Sequence, residues 1–304
     1  MVAAIVVLFN PEHNLVVRLL SSVSGQVDAI YAIDNTPGSN ANLPAYLLEW
    51  LRLVHYIPLE ENKGIAEAQN IGVQACIKDG YSHVLFLDQD SSLPAQLVHR
   101  LLNAERSLLQ KGEKVAIVAP QIADNKTGRR PSAVHYRWLL ARERFAKDDA
   151  SEPVRSDNLI SSGSLIRIDA LKEIGLMRSD LFIEYVDTEW IFRSQQAGYR
   201  SYCVPNTVMM HSLGDAAAKI LGRDFYLYSN ARYYYKLRNE IFLARLKTMG
   251  WQWRAYALSR IPYHFVLYAL LACNRGSALR LLLKAISDGI MGRLGPLAER
   301  TADS

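Results

Sequence analysis

Apolar runs alternate with amphipathic stretches through the first 120 positions. Ala3–Phe9 is an unbroken apolar run rich in β-branched residues, the pattern of a strand covered on both faces. Asn14–Ser22 follows with Leu15, Val16, Leu19 and Leu20 at helical spacing. Further strands are expected at Ala29–Ile33, Leu53–Ile57, His83–Leu87 and Val115–Ala119, and further helices at Pro44–Leu51, Gly64–Lys78 and Pro94–Leu109. The turn Asp34-Asn35-Thr36-Pro37-Gly38 ends the second strand, and Asp79-Gly80 closes a helix. This β-α-β-α rhythm predicts an α/β fold with a doubly wound, mostly parallel sheet.

Beyond residue 120 the pattern loosens. Asp124–Glu152 is polar and basic, with Gly128-Arg129-Arg130-Pro131 expected as a mobile loop. Strand character returns over Asn158–Ile168, around Ser161-Ser162-Gly163-Ser164, and again at Arg200–Val204 and Val208–His211. Helices are expected at Asp169–Ile174 and Thr188–Gln196. After Gly214 strands are expected to stop, and Asp224–Met249, Trp253–Leu271 and Ser277–Met291 read as helices. The chain thus divides into an α/β part, 1–214, and a mainly helical, basic and aromatic extension, 215–304.

Composition narrows the class. Half of the 304 residues are hydrophobic and 21% are charged, which excludes wholesale disorder. Cys76, Cys203 and Cys273 lie far apart, so neither a disulfide framework nor a metal-ligand spacing emerges, and a reducing, cytoplasmic setting is expected. The apolar N-terminus has no basic flank and reads as a strand instead of a signal peptide. No stretch approaches the roughly 20 apolar residues of a membrane span; Ile261–Cys273 contains Pro262 and His264. Residues 213–304 hold 14 Lys and Arg against 6 Asp and Glu, a net of +8, while the whole chain is +5. That asymmetry points to an anionic membrane surface or another polyanion, or else to nothing more than solvated helix faces. No nucleic-acid motif accompanies it, so nucleic acid is not an expected partner.

Candidate chemistry gathers at strand ends, where open α/β sheets bind ligands. Asp34 ends the second strand. Asp88 and Asp90 follow the fourth, and their i, i+2 spacing in extended chain puts both carboxylates on one side. Such a pair suits Mg²⁺ or Mn²⁺, which take one or two carboxylates and fill their shell with phosphate oxygens and water. The plain alternative is a polar turn capping the next helix. Asn62-Lys63-Gly64 opens a helix whose small residues allow close approach and whose N–H groups favour phosphate; ordinary helix–sheet packing would also explain them. Asp187 and Glu189 stand where a helix begins, a placement that also stabilises a helix N-terminus with no further role. His211 ends another strand.

In their order, AAIVVLFN, AIDNTP, GIAEAQNIG, FLDQD, SSGSLIR and YVDTEWIFR resemble the inverting family 2 glycosyltransferases of GT-A fold over about 1–214. FNP, ENKGIAEAQNIG, LFLDQDS, LFIEYVDTEWIFR and RYYYKLRNEIFLAR resemble the bacterial L-rhamnosyltransferases among them. The resemblance implies dTDP-β-L-rhamnose as donor and a cell-surface glycan or glycolipid hydroxyl as acceptor: lipopolysaccharide core, O-antigen, rhamnose polymer or rhamnolipid. It implies a donor side of Asn10, Asp34, Asn62, Lys63, Gly64 and Asp88, with Asp34 reading the base. It implies Asp90 as direct ligand of Mg²⁺ or Mn²⁺, Asp88 beside it or acting through water, and His211 reaching the metal or diphosphate. Asp187 matches the second residue of the family's Glu-Asp pair, the general base. Val186 replaces the usual Glu, which leaves Glu189 as the alternative base. Ser162, Gly163, Trp190 and Arg193 are acceptor-side candidates.

Two other classes remain open at this stage. A sugar-phosphate nucleotidyltransferase would share an α/β fold and a metal, but Phe9-Asn10-Pro11-Glu12 stands where its Gly-rich loop is expected. A non-catalytic carbohydrate-binding protein of the same fold would not need Asp88, Asp90, Asp187 and His211 together. In the tail, tyrosines and tryptophans among Lys and Arg suit a peripheral place at the inner face of the cytoplasmic membrane. Core packing is the competing expectation for Phe265–Leu271.

Overall fold

Burial on both faces explains the continuous apolar strands. In the computed structural model, β1 (Val2–Leu8) is buried at every position. Ala3, Ile5 and Val7 face one hydrophobic cluster, and Val2, Ala4, Val6 and Leu8 face the other. The structure describes residues 1–39, 47, 50, 53–124, 133–137, 139–144, 152–211, 216–220, 223–271 and 275–297. After β1 come α1 (His13–Val23), β2 (Ala29–Asp34), β3 (Val54–Pro58), α2 (Ile65–Lys78), β4 (His83–Asp88), α3 (Leu97–Gln110) and β5 (Val115–Asp124). The middle adds β6 (Ala133–Arg137), β7 (Leu140–Arg144), β8 (Val154–Arg155), β9 (Leu165–Arg167), α4 (Ile168–Ile174), α5 (Val186–Gln196) and β10 (Arg200–His211). The last part holds β11 (Ala216–Ile220), β12 (Arg223–Leu227), α6 (Asn230–Ala244), α7 (Trp251–Leu271) and α8 (Arg275–Met291).

Among the described residues, eight strands form the main sheet in the order β3-β2-β1-β4-β9-β5-β10-β8. The pairs β3–β2, β2–β1, β1–β4 and β5–β10 are parallel, while β9 and β8 run antiparallel to their neighbours. The sheet is therefore mostly parallel, as the alternating pattern predicts. The chain builds outward from β1 to β3, then returns to place β4 on the other side of β1. That reversal opens a crevice at the carboxyl ends of β1 and β4. On one face, α1 buries Val16, Leu19, Leu20 and Val23, each worth about 1.5–3 kcal/mol when fully buried.

Several elements differ from the sequence reading. Two hairpins, β6–β7 and β11–β12, stand where a polar loop and the start of a helix are expected. Strands therefore do not stop at Gly214, and α6 starts at Asn230, where the Ser229 hydroxyl caps it by accepting from the Arg232 amide at 3.3 Å. Both hairpins pair only within themselves, so their sequences carry little of the apolar alternation that marks a core strand. Of the expected strand Asn158–Ile168, only Leu165–Arg167 is strand; Ser164 N–H closes a turn on Ser161 O at 2.9 Å. The two short strands after Arg200 are one, with a register shift between Val204 and Val208 around Pro205. The expected helix Pro44–Leu51, apart from Leu47 and Trp50, and the expected loop Gly128–Pro131 lie outside the described residues.

Candidate active site

The crevice at the β1–β4 reversal is lined by the ends of β1, β2 and β4. Gln89 bridges it: its side chain accepts from Phe9 N–H at 2.8 Å and donates to Phe9 O at 3.2 Å. Asn10 follows with φ 45°, and its N–H donates to the Thr36 hydroxyl at 2.8 Å. Asn tolerates this left-handed conformation better than most residues. Asp34 is buried, with Oδ1 accepting from Thr36 N–H at 3.0 Å and Oδ2 from the Tyr56 hydroxyl at 2.7 Å. Those bonds leave lone pairs free on both oxygens.

Asn35, a residue the motif reading passed over, joins this strand end to the next loop. Its amide donates to Asn62 Oδ1 at 2.9 Å, and its Oδ1 accepts from Lys63 N–H at 2.8 Å. Asn62 Oδ1 also accepts from Gly64 N–H at 3.0 Å. Lys63 is exposed and pairs with Glu61 at 3.0 Å. Gly64 has φ +81°, and a Cβ there would stand 2.5 Å from Phe182 O. Only glycine fits this approach. The signal for Asn35 was in the sequence, immediately after Asp34 in a polar strand-end turn.

Asp88, the last residue of β4, and Asp90, on the loop after it, are half-buried. Ser162, fully buried, accepts from Asp88 N–H at 3.3 Å and shares a 2.6 Å hydrogen bond with Ser91. Gly163, at φ +83°, passes close to Pro120 and Met209. Among the described residues, no side chain pairs with the Asp90 carboxylate; Arg18 reaches only its carbonyl, at 3.4 Å. A backbone bridge between Ser92 and Met210 brings the end of β10, and so the backbone of His211, alongside this loop. The His211 side chain lies outside what is described.

Asp187 is the second residue of α5. Thr188 N–H donates to its Oδ1 at 2.7 Å, and the Thr188 hydroxyl at 3.3 Å. Burial pushes its carboxyl up to about 6; the charge of Glu184 adds to this, against hydrogen bonds from Thr188 and from the Ser161 backbone. Ser161 thus lies against the Asp187 carboxylate while the Ser162 hydroxyl accepts from the Asp88 amide, so one turn touches both residues. Glu189, two residues on, points elsewhere. It is buried against Arg193 at 2.9 Å, and Arg193 also donates to Ile174 O at 2.9 Å and Leu176 O at 2.8 Å. Trp190 is fully buried, its indole N–H donating to Gly175 O at 2.8 Å. Of the expected acceptor-side set, Ser162 and Trp190 are buried, Gly163 packs against Pro120 and Met209, and Arg193 is held by Glu189 and two carbonyls.

The backbone entering α5 is unusual. Phe182, Glu184 and Tyr185 have φ of 68°, 68° and 63°. Phe182, with ψ −65°, centres a γ-turn closed by Ile183 N–H on Leu181 O at 2.8 Å. Each such residue costs about 1–3 kcal/mol and persists only where surroundings enforce it. The Glu184 carboxylate meets Arg232 at 2.7 Å and Lys236 at 3.3 Å. Burial would raise its carboxyl, but those two cations outweigh it and hold it below the usual range.

Comparison with known proteins matches this geometry. The pattern of glycosyl transferase family 2 matches residues 3–175. The chain is 31% identical, over 80% of its length and 79% of the relative's, to a dTDP-rhamnosyl transferase, RfbF, of Shigella flexneri. Among solved structures it is similar to GalNAc-T7 with UDP, GalNAc and Mn²⁺, at 18% identity and TM-score 0.56, covering 73% of this chain and 44% of that one. It is also similar to S. aureus TarS 1–349 in complex with UDP-GlcNAc, at 16% identity and TM-score 0.57, covering 99% of this chain and 82% of that one. These structural likenesses carry the fold, the GT-A arrangement of strands around a crevice. A family match over more than half of the chain, on a sheet of that arrangement with its carboxylates at the reversal, establishes that the protein belongs to glycosyl transferase family 2.

Proposed function

We propose that the protein transfers L-rhamnose from dTDP-β-L-rhamnose to a hydroxyl of a bacterial cell-surface glycan or glycolipid, with inversion at C1. The observation that carries the reaction type is the Ser161–Ser162 turn, which touches Asp88 on one side and Asp187 on the other. The donor assignment rests on the likeness to the Shigella dTDP-rhamnosyl transferase. In this reading Asp34 accepts the N3–H of thymine. Asn10, Asn62, Lys63 and the N–H groups at Gly64 line the nucleotide side. Asp187, ionised above about pH 6, takes the proton of the acceptor hydroxyl as its oxygen attacks C1 and dTDP leaves. One displacement converts the β-donor to an α-L-rhamnoside. Glu189 is committed to Arg193 and is the weaker candidate for base.

The residues present fit Mg²⁺ or Mn²⁺. Among the described residues, no cluster of three or more acidic, His or Cys side chains stands ready for a metal. Two carboxylates suffice where a diphosphate completes the shell, and that of Asp90 has no side-chain partner among the described residues. Asp90 would hold the ion directly, Asp88 beside it or through water, and His211 at the end of β10 would be a further ligand to the metal or diphosphate. Bound there, the ion would neutralise charge developing on the leaving diphosphate.

The acceptor side extends to a membrane surface. No described helix is long and apolar enough to cross a membrane. Yet α7 exposes Val266 (55%) and Leu270 (61%), and α8 exposes Leu283 (54%) and Met291 (65%). Asp288 is the only acidic residue between Trp251 and Met291, and it is buried against Lys284 at 2.9 Å. An apolar surface with cationic residues and no exposed acid suits the headgroup level of an anionic bilayer. A second copy would set cation against cation. The place of work in this reading is the inner face of the cytoplasmic membrane.

The test is product analysis after incubation with dTDP-L-rhamnose, UDP-glucose or UDP-N-acetylglucosamine and a panel of glycan acceptors. dTDP-L-rhamnose should be used in preference, giving an α-linked product. Preference for a UDP-sugar would sink the rhamnosyl assignment and leave the family. A retained anomeric configuration would remove the single-displacement mechanism. Sedimentation with phosphatidylglycerol vesicles, compared with phosphatidylcholine at low and high salt, tests the surface. Equal, negligible binding to both would overturn it.

A further inference from the structure

Asp187 depends on a segment whose conformation the segment itself disfavours. Leu181–Tyr185 carries three non-glycine residues at positive φ immediately before α5. Its neighbour α2 touches it at one edge, where Ala66 N–H reaches Phe182 O at 3.4 Å. The opposite edge is held by α6. The Asn239 amide, completely buried, shares its two hydrogens among three carbonyls of the segment, one bond being bifurcated: Leu181 at 3.0 Å, Ile183 at 2.8 Å and Glu184 at 3.0 Å. Arg238, also buried, donates to Leu181 O at 2.9 Å and to Gly295 O at 2.6 Å. One and two turns earlier on the helix, Lys236 and Arg232 hold the Glu184 carboxylate. Leu181 O has the Ile183 N–H of the γ-turn, but among the described residues no backbone N–H reaches Ile183 O or Glu184 O, and burying them unpaired would be costly. A leucine at position 239 would fill the space but satisfy none of them.

We infer that Asn239, supported by Arg238, is a positioning residue for the transfer reaction: by gathering the carbonyls of Leu181, Ile183 and Glu184 it fixes the backbone that aims Asp187 into the cleft. The inference rests on Asp187 as the base. The same segment presses on Gly64 at the head of the donor-side loop, so α6 sets the spacing between the two sides. Arg232 and Lys236 have a second consequence. They keep Glu184 ionised beside Asp187, and its negative charge helps hold a proton there. The titratable and charged groups facing Asp187 are Glu184 on its own segment and Tyr136 on β6; Thr188 and Ser161 supply hydrogen-bond donors.

A double-mutant cycle on the full chain tests this, reading dTDP release from dTDP-L-rhamnose with water as acceptor. Asn239→Ala should lower kcat by about 10–100-fold with donor KM within about threefold, the scale expected when a reacting group is misplaced by an ångström. In an Asp187→Asn background the same substitution should cost less than about threefold, because the residue it positions no longer acts. An equal loss in both backgrounds, or an unchanged kcat in folded Asn239→Ala, overturns the inference. Full turnover by Asp187→Asn alone would instead sink the base assignment, a separate outcome. Should Asn239→Ala fail to fold, Asn239→Ser, which keeps one donor, carries the test: a smaller fall in kcat that again vanishes beside Asp187→Asn is expected, and an unchanged kcat overturns the inference. Glu184→Gln tests the second consequence. Removing that negative charge favours ionised Asp187, so the acid limb of kcat/KM should move below about pH 6. A limb that stays in place overturns the coupling.

Discussion

On the proposed donor side of the cleft, Asp34 and Asn35 stand at a strand end and bond to partners no more than 28 positions away. On the proposed base side, Asp187 follows a strained turn held by Asn239, 55 to 58 positions further along the chain than the carbonyls it binds. The donor side is assembled by the order of strands in the sheet, and each of its residues sits where a strand must end. The base side is assembled by docking α6 against a backbone that would relax without it. The family pattern, ending at residue 175, spans the first and stops before the second. Damage to α6 should therefore injure chemistry while leaving nucleotide binding in place, and damage to the strand ends should do the reverse.

The largest expected effect separates the two sides directly. Asp187→Asn should lower transfer by about 10²–10⁴-fold, the range for losing a general base, with donor affinity in calorimetry little changed. Asp34→Ala should show the opposite balance, with weaker nucleotide binding and a smaller loss in turnover at saturation. Glu189→Gln is the control within α5. It breaks a buried pair with Arg193, so the melting temperature should fall while turnover of the folded fraction persists. If Glu189→Gln abolishes transfer and Asp187→Asn retains it, the base lies two residues further along.

The next effect belongs to the donor side alone. Asp90→Asn should remove most metal-stimulated activity without lowering the melting temperature, because its carboxylate lies half-buried on a loop with no side-chain partner among the described residues. A chelator should abolish activity, and Mg²⁺ or Mn²⁺ should restore it in the wild type only. Undiminished turnover of Asp90→Asn in chelator would mean that the leaving diphosphate is stabilised by other groups.

Gly64 is where the two sides touch. Gly64→Ala would place a Cβ 2.5 Å from Phe182 O at a φ of +81°. The clash and the strain together should cost about 2–4 kcal/mol in chemical denaturation. Gly80 has nearly the same φ, +79°, with nothing within 4 Å of its added Cβ. Gly80→Ala should therefore cost only about 1 kcal/mol, the left-handed penalty by itself. Equal costs at the two sites would mean that the donor loop and the base segment are not in tight contact.

The strand-end residues of the proposed donor side were legible in the sequence for a physical reason. A strand buried on both faces must be an apolar run, and the first polar residues after it, Asp34, Asn35 and Asp88, must stand at its end. The base-side support was not legible. Asn239 and Arg238 lie in RYYYKLRNEIFLAR, a motif that can be quoted without revealing that its polar residues face inward. Their partners are backbone carbonyls, which leave no trace in side-chain pattern. The tail makes the same point at larger scale. Both α6 and α7 are rich in aromatics and Arg, yet α6 buries Arg238, Asn239 and Glu240 while α7 exposes Val266 and Leu270. Within Phe265–Leu271 the expected core covers only one helical face, with Tyr268 buried. The two hairpins were missed because strands that pair only with each other need no apolar run.

The smallest expected effect is in stability, and its sign is set by the base side. The carboxyl of Asp187 titrates at about 6 in the fold, above its ordinary value of 3.8. The folded state therefore holds this proton more tightly than the unfolded chain does. The stability tied to it is fully present below about pH 4 and is lost as pH rises through about 6. Asparagine at this position resembles the protonated acid and does not titrate. Asp187→Asn should then be more stable than the wild type at pH 8, by about 1–2 kcal/mol once partial exposure is allowed for. The gap should close as pH falls to about 4, and titrating groups not coupled to Asp187 cancel in the comparison. Urea denaturation of both proteins at pH 8, 6 and 4.5 measures it. A gap of the same size at all three would mean that Asp187 is not the group titrating near 6, and that the tension built into the base side lies elsewhere in the Leu181–Tyr185 turn.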